Sequence, residues 1–376
     1  MSRRHIWILP GVAAALLSVA ASAQETATPT PAPTPTPAPA PEPAPAPAAS
    51  TSPNSTYFNP AIAVIGNFLA VTGDNPVEDT PSFEMRESEF SFQAVVDPYA
   101  KADFFVSLSS DEVELEEGFI TFTHLPADLL VKVGKFKAQF GKINLMHLHV
   151  LPWVDEPLPV VNLLGSEEGW SDAGVSVSRL FPLPSDTFSE LIVQVFRGEV
   201  EGLFEAESNS DLAYLAQYRL YRDFGDDHNV ELGGTWGQGF NGTAEDAKTS
   251  LTNVHLVYRW RPLSGKPHRG FILRSEYYWS DREQLEGDQK ATGFFVAGDY
   301  RLGQRWFAGA RYEFSDHADD AALRDEGGAL TLTFWPSEFS QLRGELRQRR
   351  YAGGIEATEA FLQLQFSIGA HGAHPF

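Results

Sequence analysis

Cysteine is absent from the 376-residue chain. That excludes a lipoprotein, which would carry its anchor on a cysteine at the leader cleavage point. Beyond the N-terminal leader no apolar run approaches the roughly 18 residues that a membrane-spanning helix needs. Cations are also few, with 28 Lys and Arg against 50 Asp and Glu, for a formal net charge of −22. An acidic surplus of this size gives nucleic acid nothing to bind.

The N-terminus reads as a removed secretion signal over residues 1–23. Arg3 and Arg4 form a short basic region, Ile6 to Ala21 an apolar one interrupted by Pro10 and Gly11, and Ala21-Ser22-Ala23 a small-residue cleavage site before Gln24. Its removal takes away those two arginines and no acid, leaving a net charge of −24. Residues 24–55 are dominated by Pro, Ala and Thr. Such a composition cannot bury a core and favours an extended polyproline-like arm. At about 3.1 Å per residue the arm reaches on the order of 80 Å, as a spacer or a partner-reaching segment.

From residue 56 to residue 376 the dominant signal is alternation. Phe90, Phe92 and Ala94 alternate with Ser91 and Gln93; Leu212, Tyr214, Ala216 and Tyr218 oppose Gln217 and Arg219; Leu342 and Leu346 oppose Arg343, Glu345, Arg347 and Arg349. A period of two puts one set on each face of a sheet. The apolar faces often end in Tyr or Trp, as a lipid-facing band with aromatic girdles does. The opposite faces carry more charge than a closed dry core tolerates. Short and longer connections also alternate. Together these predict an all-β, transmembrane, antiparallel β-barrel of about 16 strands, closed because backbone at lipid depth must pair internally. An even count puts both termini in the periplasm. The first strand (59–70) and the fourth (112–123) carry the weakest patterns, the fourth with a parity slip near Gly118 that suggests a bulge.

One connection stands apart. Phe140 to Ser171 is the third outer loop, rich in Leu, Val, Trp and Pro, and long loops of this kind are functional or disordered. It is expected to fold into the bore and to form a constriction with His147, His149, Trp153, Asp155, Glu167 and Glu168. The expected pore lining is Lys101, Lys132, Arg219, Arg259, Arg274, Glu276, Arg305, Arg311, Glu313, Arg343, Glu345, Arg347 and Arg349. Rings of charge set channel selectivity, and the cluster from Arg343 to Arg349 with Arg305 and Arg311 leans slightly toward anions. Mutual neutralisation across adjacent strands is the plainer reading of the same charges. The remaining acids crowd into outer loops, for example Glu199, Glu201, Glu205 and Glu207. There they face lipopolysaccharide through bridging divalent cations, or simply keep the loops solvated.

His147 and His149 lie two apart and point the same way on an extended chain. With Asp155, or with Glu167 and Glu168, they offer nitrogen and oxygen ligands for zinc; H-x-H also occurs where histidines only fix a loop. His371 and His374 are a second candidate pair. No G-x-S-x-G occurs in the chain and His255, the one strand histidine, faces inward, so no enzyme is expected.

The plan of an even-stranded barrel with an inward third loop resembles general diffusion porins. The segment G-K-F-K-A-Q-F-G from Gly134 to Gly141 resembles its counterpart in phosphate-selective porins. The stretch Gly141–Gly174 and the ending Gly369–Phe376 resemble a little-described group of proteobacterial outer-membrane proteins often labelled zinc-regulated or TonB-dependent receptors. Such receptors need a plug domain and roughly 22 strands, for which the chain has no room. The resemblance implies passive diffusion of small hydrophilic solutes or ions. It also implies outer-membrane lipid, lipopolysaccharide and the barrel assembly machinery as partners, a homotrimer as porins often form, and zinc as the one metal to consider.

Overall fold

The computed structural model describes residues 60–369 except 79, 110–111, 166–167, 185–186 and 264–267. The leader, the arm, Glu167 and the tail histidines therefore lie outside the described residues.

Sixteen antiparallel strands run in sequence order and close on themselves, β1 (Ala61–Asp74) pairing with β16 (Ile355–Gly369). Between them come β2 (Phe83–Asp97), β3 (Ala100–Leu108), β4 (Val113–Phe122), β5 (Leu129–Lys137), β6 (Ser171–Leu183), β7 (Thr187–Phe196), β8 (Ala213–Phe224) and β9 (His228–Phe240). The circuit is completed by β10 (Lys248–Trp260), β11 (Gly270–Arg282), β12 (Gln289–Arg301), β13 (Trp306–Asp316), β14 (Arg324–Ser337) and β15 (Ser340–Tyr351). No helix among the described residues is long and apolar enough to cross a membrane.

The period-two pattern turns one face outward. Along β15, Leu342 and Leu346 are exposed while Gln341, Arg343, Glu345, Arg347 and Arg349 are buried. Exposed Val175, Val177, Leu191, Val193, Val254, Leu330, Leu332, Leu362 and Leu364 continue the apolar exterior. Tyr214, Trp236, Trp279 and Tyr312 are exposed toward the long-loop ends of their strands, and Tyr99, Phe224, Trp306 and Phe339 toward the short-turn ends. This is an apolar belt between two aromatic girdles. Short turns are locally stabilised: Asp97 Oδ1 accepts from Tyr99 N at 2.7 Å between β2 and β3.

Two local expectations change. Several outer connections are shorter than anticipated, because strands such as β13 and β14 continue pairing as far as Asp316 and Arg324. The bulge of β4 sits at Glu116, two residues before Gly118: Phe105 pairs with Glu117 and Val106 with Leu115, leaving Glu116 as the extra residue. β2 also carries a bulge, with Arg86 the extra residue between Met85, opposite Phe68, and Glu87, opposite Asn67.

Candidate functional site: the inner loop and its wall

Residues 138–170 fold as a closed-necked loop. Ala138 N donates to Trp170 O at 2.8 Å. Buried Asn144 clasps both ends, donating from Nδ2 to Ala138 O and Trp170 O at 2.8 and 3.0 Å and accepting from Trp170 N at 2.8 Å. Beyond this neck the chain forms two 3-10 turns, Ile143–Leu145 and Leu148–Val150, and one short helix, α1 (Leu158–Leu163).

The loop packs inside the barrel on an apolar wall. Phe140, Ile143, Leu151, Trp153, Val160, Leu163, Leu164 and Trp170 share one buried cluster with Phe196, Leu215, Leu251, Tyr278, Phe295 and Ala297, which project from β7, β8, β10, β11 and β12. Trp170 meets Phe204 edge-on at 4.9 Å between ring centroids, and Trp153 meets Phe295 at 5.8 Å. The charges expected on the inward faces share this side of the bore with an apolar surface, because the apolar loop needs an apolar partner.

An irregular loop also carries backbone groups that the sheet does not pair, and burial makes them costly. The charged wall residues meet that need. Glu276 Oε1 accepts from Lys142 N and Ile143 N at 3.0 and 2.8 Å, Glu345 from Val154 N at 3.0 Å and Glu313 from Leu158 N at 3.1 Å. Arg343 donates to Leu151 O and Trp153 O at 2.8 and 2.7 Å, and Gln217 to Gln139 O and Gly141 O at 2.8 and 3.1 Å. Gly141 is required for this approach: its φ is +66°, and a Cβ there would lie 2.0 Å from Glu276 Oε2.

Asp155 is the loop's charged anchor. It accepts from Arg311, Arg347 and Arg349 at 2.6, 2.7 and 2.6 Å. Burial alone would push its pKa up, but the three guanidiniums hold it well below the usual carboxylate range. Glu313 and Glu78 share the same arginines, and Glu359 pairs with Arg347 at 2.5 Å. Arg311 also lies 4.9 Å from the Trp153 ring centroid. Asp155 is thus taken up by arginine, which corrects its expected place beside His147 and His149 as a metal ligand.

The two histidines instead meet acids absent from the expected set. His147 Nδ1 lies 2.5 Å from Glu116 Oε2 and 3.0 Å from Glu89 Oε2, and its Nε2 lies 2.8 Å from Glu117 Oε1. Burial opposes a charged ring, yet these carboxylates outweigh it and raise the His147 pKa well above its ordinary value. His149 Nδ1 lies 3.5 Å from Glu89 Oε2 and 3.7 Å from Glu87 Oε1. Glu87 and Glu89 were legible as neighbours on the polar parity of β2. Glu116 and Glu117 were not, because only a bulge turns two consecutive residues to the same partner.

The other expected lining residues spread along the bore. Arg274 pairs with Asp299 at 2.6 Å, and Arg219 with Glu190, while both Arg219 and Arg259 approach Glu231 at 3.6 and 3.7 Å. Lys132 lies 3.8 Å from the Phe119 ring centroid. Lys101 is exposed and contacts Asp103 at 3.2 Å. Arg305 does not join them: it sits exposed in the turn before β13, since that strand begins one residue later. Glu168 is exposed where the loop returns to β6, and Lys137 Nζ donates to its carbonyl at 3.0 Å.

Two large cavities flank the loop. One of about 920 Å³ opens among the short turns and is lined by Lys142, Arg219, Glu231, Arg259 and Asp299. The other, about 690 Å³, lies at the long-loop end beside Asp155, Arg347 and Arg349. Between them Arg311, Glu313, Arg343 and Glu345 are each under 5% exposed.

Solved structures share this architecture. OprB of Pseudomonas putida superposes with a TM-score of 0.58 at 11% identity, over 82% of this chain and 94% of that one. An anion-selective porin from Comamonas acidovorans gives 0.56 at 11% identity, over 82% and 99%. The fold is that of an outer-membrane porin. The outer-membrane channel DcaP of Acinetobacter baumannii adds a third case, at 0.54 and 12% identity, over 82% and 96%. By sequence, an uncharacterized protein of Aquifex aeolicus (strain VF5) is 28% identical over 338 residues, 78% of this chain and 70% of that protein. No family model matches. Nothing in these names speaks to zinc or to TonB.

Proposed function

We propose that the protein is a porin-like outer-membrane channel for passive passage of small hydrophilic solutes or ions, narrowed by the loop at 138–170. The observation that carries this reading is the pair of cavities on either side of the loop, inside a closed barrel whose apolar belt suits hydrocarbon. In this reading the longer loops face outward toward lipopolysaccharide, and the short turns and both termini face the periplasm. The belt contacts lipid, and part of it serves a homotrimer of the kind porins form.

The sequence lean toward anions becomes small. The cavity at the short-turn end is lined by six cations (Lys142, Arg219, Arg259, Arg261, Arg269, Arg301) and six acids (Glu190, Asp223, Asp226, Asp227, Glu231, Asp299). At the loop, Arg311, Arg347 and Arg349 are already paired with Asp155. Paired charges wet a passage without giving it a strong sign. No residue is given a catalytic role.

A second reading, a non-conducting receptor or adhesin barrel, is favoured by the buried waist between the cavities. Conductance of the refolded protein in planar bilayers separates the two. A steady ohmic current with a reversal potential near zero in a KCl gradient is expected of the channel; a folded barrel that passes no current supports the receptor.

A further inference from the structure

Two groups of side chains where the loop meets β2 and β4 have the geometry of metal ligands. Glu87, Glu89 and His149 form one, and Glu89, Glu116 and His147 the other; within each, the offered nitrogen and oxygen atoms lie within 4.8 Å of one another. The groups share Glu89, and the two imidazole centroids are 5.7 Å apart. We propose that this junction is a binding site for a divalent transition-metal cation, with His147, His149, Glu87, Glu89 and Glu116 as ligands and Glu117 orienting His147.

Spacing supports the assignment. Donor atoms about 2.1 Å from a tetrahedral ion stand about 3.4 Å apart. His149 Nδ1 is 3.5 Å from Glu89 Oε2 and 3.7 Å from Glu87 Oε1, longer than hydrogen bonds but suited to ligands around one ion. His147 Nδ1 is closer to its acids, 3.0 Å from the same Glu89 oxygen and 2.5 Å from Glu116 Oε2, so an entering ion replaces these hydrogen bonds and widens this half of the site.

Unmet bonding supports it independently. Glu87 is 5% exposed, and both its carboxylate oxygens are buried without a hydrogen-bond donor among the described residues. A buried carboxylate in that state is costly unless a cation completes it. Arg86 donates to Val154 O, and Lys137 Nζ donates to Glu168 O. Four carboxylates face two imidazoles in a small space.

The surroundings resemble the outer layer of a metal centre. Glu117 Oε1 meets His147 Nε2 at 2.8 Å, on the ring edge away from Glu89, and Glu117 Oε2 is fixed by Lys137 N at 3.0 Å. A carboxylate on the far nitrogen sets the tautomer that presents Nδ1 to a metal. Gln365 holds the backbone of His149 through its carbonyl at 2.8 Å. A cavity of about 190 Å³ adjoins the site, its lining more acidic than basic: Glu87, Glu112, Glu114, Glu116 and Glu156 against Arg86 and Lys137. Mixed imidazole and carboxylate donors favour zinc and its neighbours over magnesium or calcium. Because the histidines belong to the loop and the acids to the wall, a bound ion would tie one to the other.

The test is calorimetric titration of ZnCl₂ into the chelator-treated, detergent-folded full chain, with excess Mg²⁺ present. Stoichiometric binding that resists Mg²⁺ is expected, weakened about tenfold or more in His147→Ala and in the isosteric Glu89→Gln. X-ray absorption of the Zn²⁺ complex should show only nitrogen and oxygen neighbours, with imidazole scattering. Circular dichroism reports whether each variant keeps its barrel. A folded wild-type protein that binds no Zn²⁺, binds it only as weakly as Mg²⁺, or binds it equally well in folded Glu89→Gln would overturn the proposal. None of these readouts depends on conduction.

Discussion

The two sides of the bore hold the same loop by different means. On the side of β7 to β12, Trp170, Phe140 and Leu163 lie against Phe196, Tyr278 and Phe295, with hydrogen bonds from Gln217 and Glu276 confined to the loop's first residues, 139–143. On the side of β13 to β16, Arg311, Arg343, Arg347 and Arg349 reach individual oxygens of the loop. Apolar packing fixes volume and tolerates sliding; charge-assisted hydrogen bonds fix position and tolerate almost none. The apolar side therefore gives the loop most of its affinity for the wall and fixes its first turn through Gln217 and Glu276, and the arginine side determines where the segment from Leu151 to Asp155 sits.

That contrast can be broken by mutation. The largest effect is expected for Asp155→Ala, which leaves three buried arginines without their shared carboxylate, at about 3–5 kcal/mol. A much lower thermal midpoint in detergent and a several-fold larger single-channel conductance are expected. Trp170→Ala removes a buried ring on the apolar side and should cost about 3 kcal/mol, with conductance changed far less because the arginine contacts remain. Equal conductance increases in the two variants would erase the distinction between the sides.

Gly141→Ala places a methyl group against Glu276 at a positive φ, and is expected to cost about 1–3 kcal/mol in the same melting experiment. The smallest effect is expected for Arg305→Ala. Its exposed side chain lies in a turn outside the bore, so stability should change by less than about 0.5 kcal/mol and the reversal potential not at all.

The strands were legible because alternation is written locally. Leu342, Arg343, Glu345 and Leu346 declare their faces without reference to any other strand, and sixteen strands form, including β1 and β4 where the pattern is weakest. The loop's content in Trp, Leu and Val likewise signalled that it packs. What it packs against was hidden, since Phe196, Leu215 and Phe295 belong to three separate strands, β7, β8 and β12, and read only as apolar positions. The arginines of β15 were visible as a cluster, but their partners are loop carbonyls and Asp155, and backbone acceptors leave no mark in a sequence. Glu116 escaped because the bulge that turns it toward His147 erases the parity on which the reading relied.

Single-channel conductance of the wild-type barrel beside that of Asp155→Asn, an isosteric change that removes only the charge, tests the anchoring role of the arginine cluster most directly. A small steady current in the wild type and a several-fold larger one in the variant are expected, with both proteins folded by circular dichroism. Equal currents from two folded proteins would contradict the idea that Asp155 and its three arginines hold the loop across the bore.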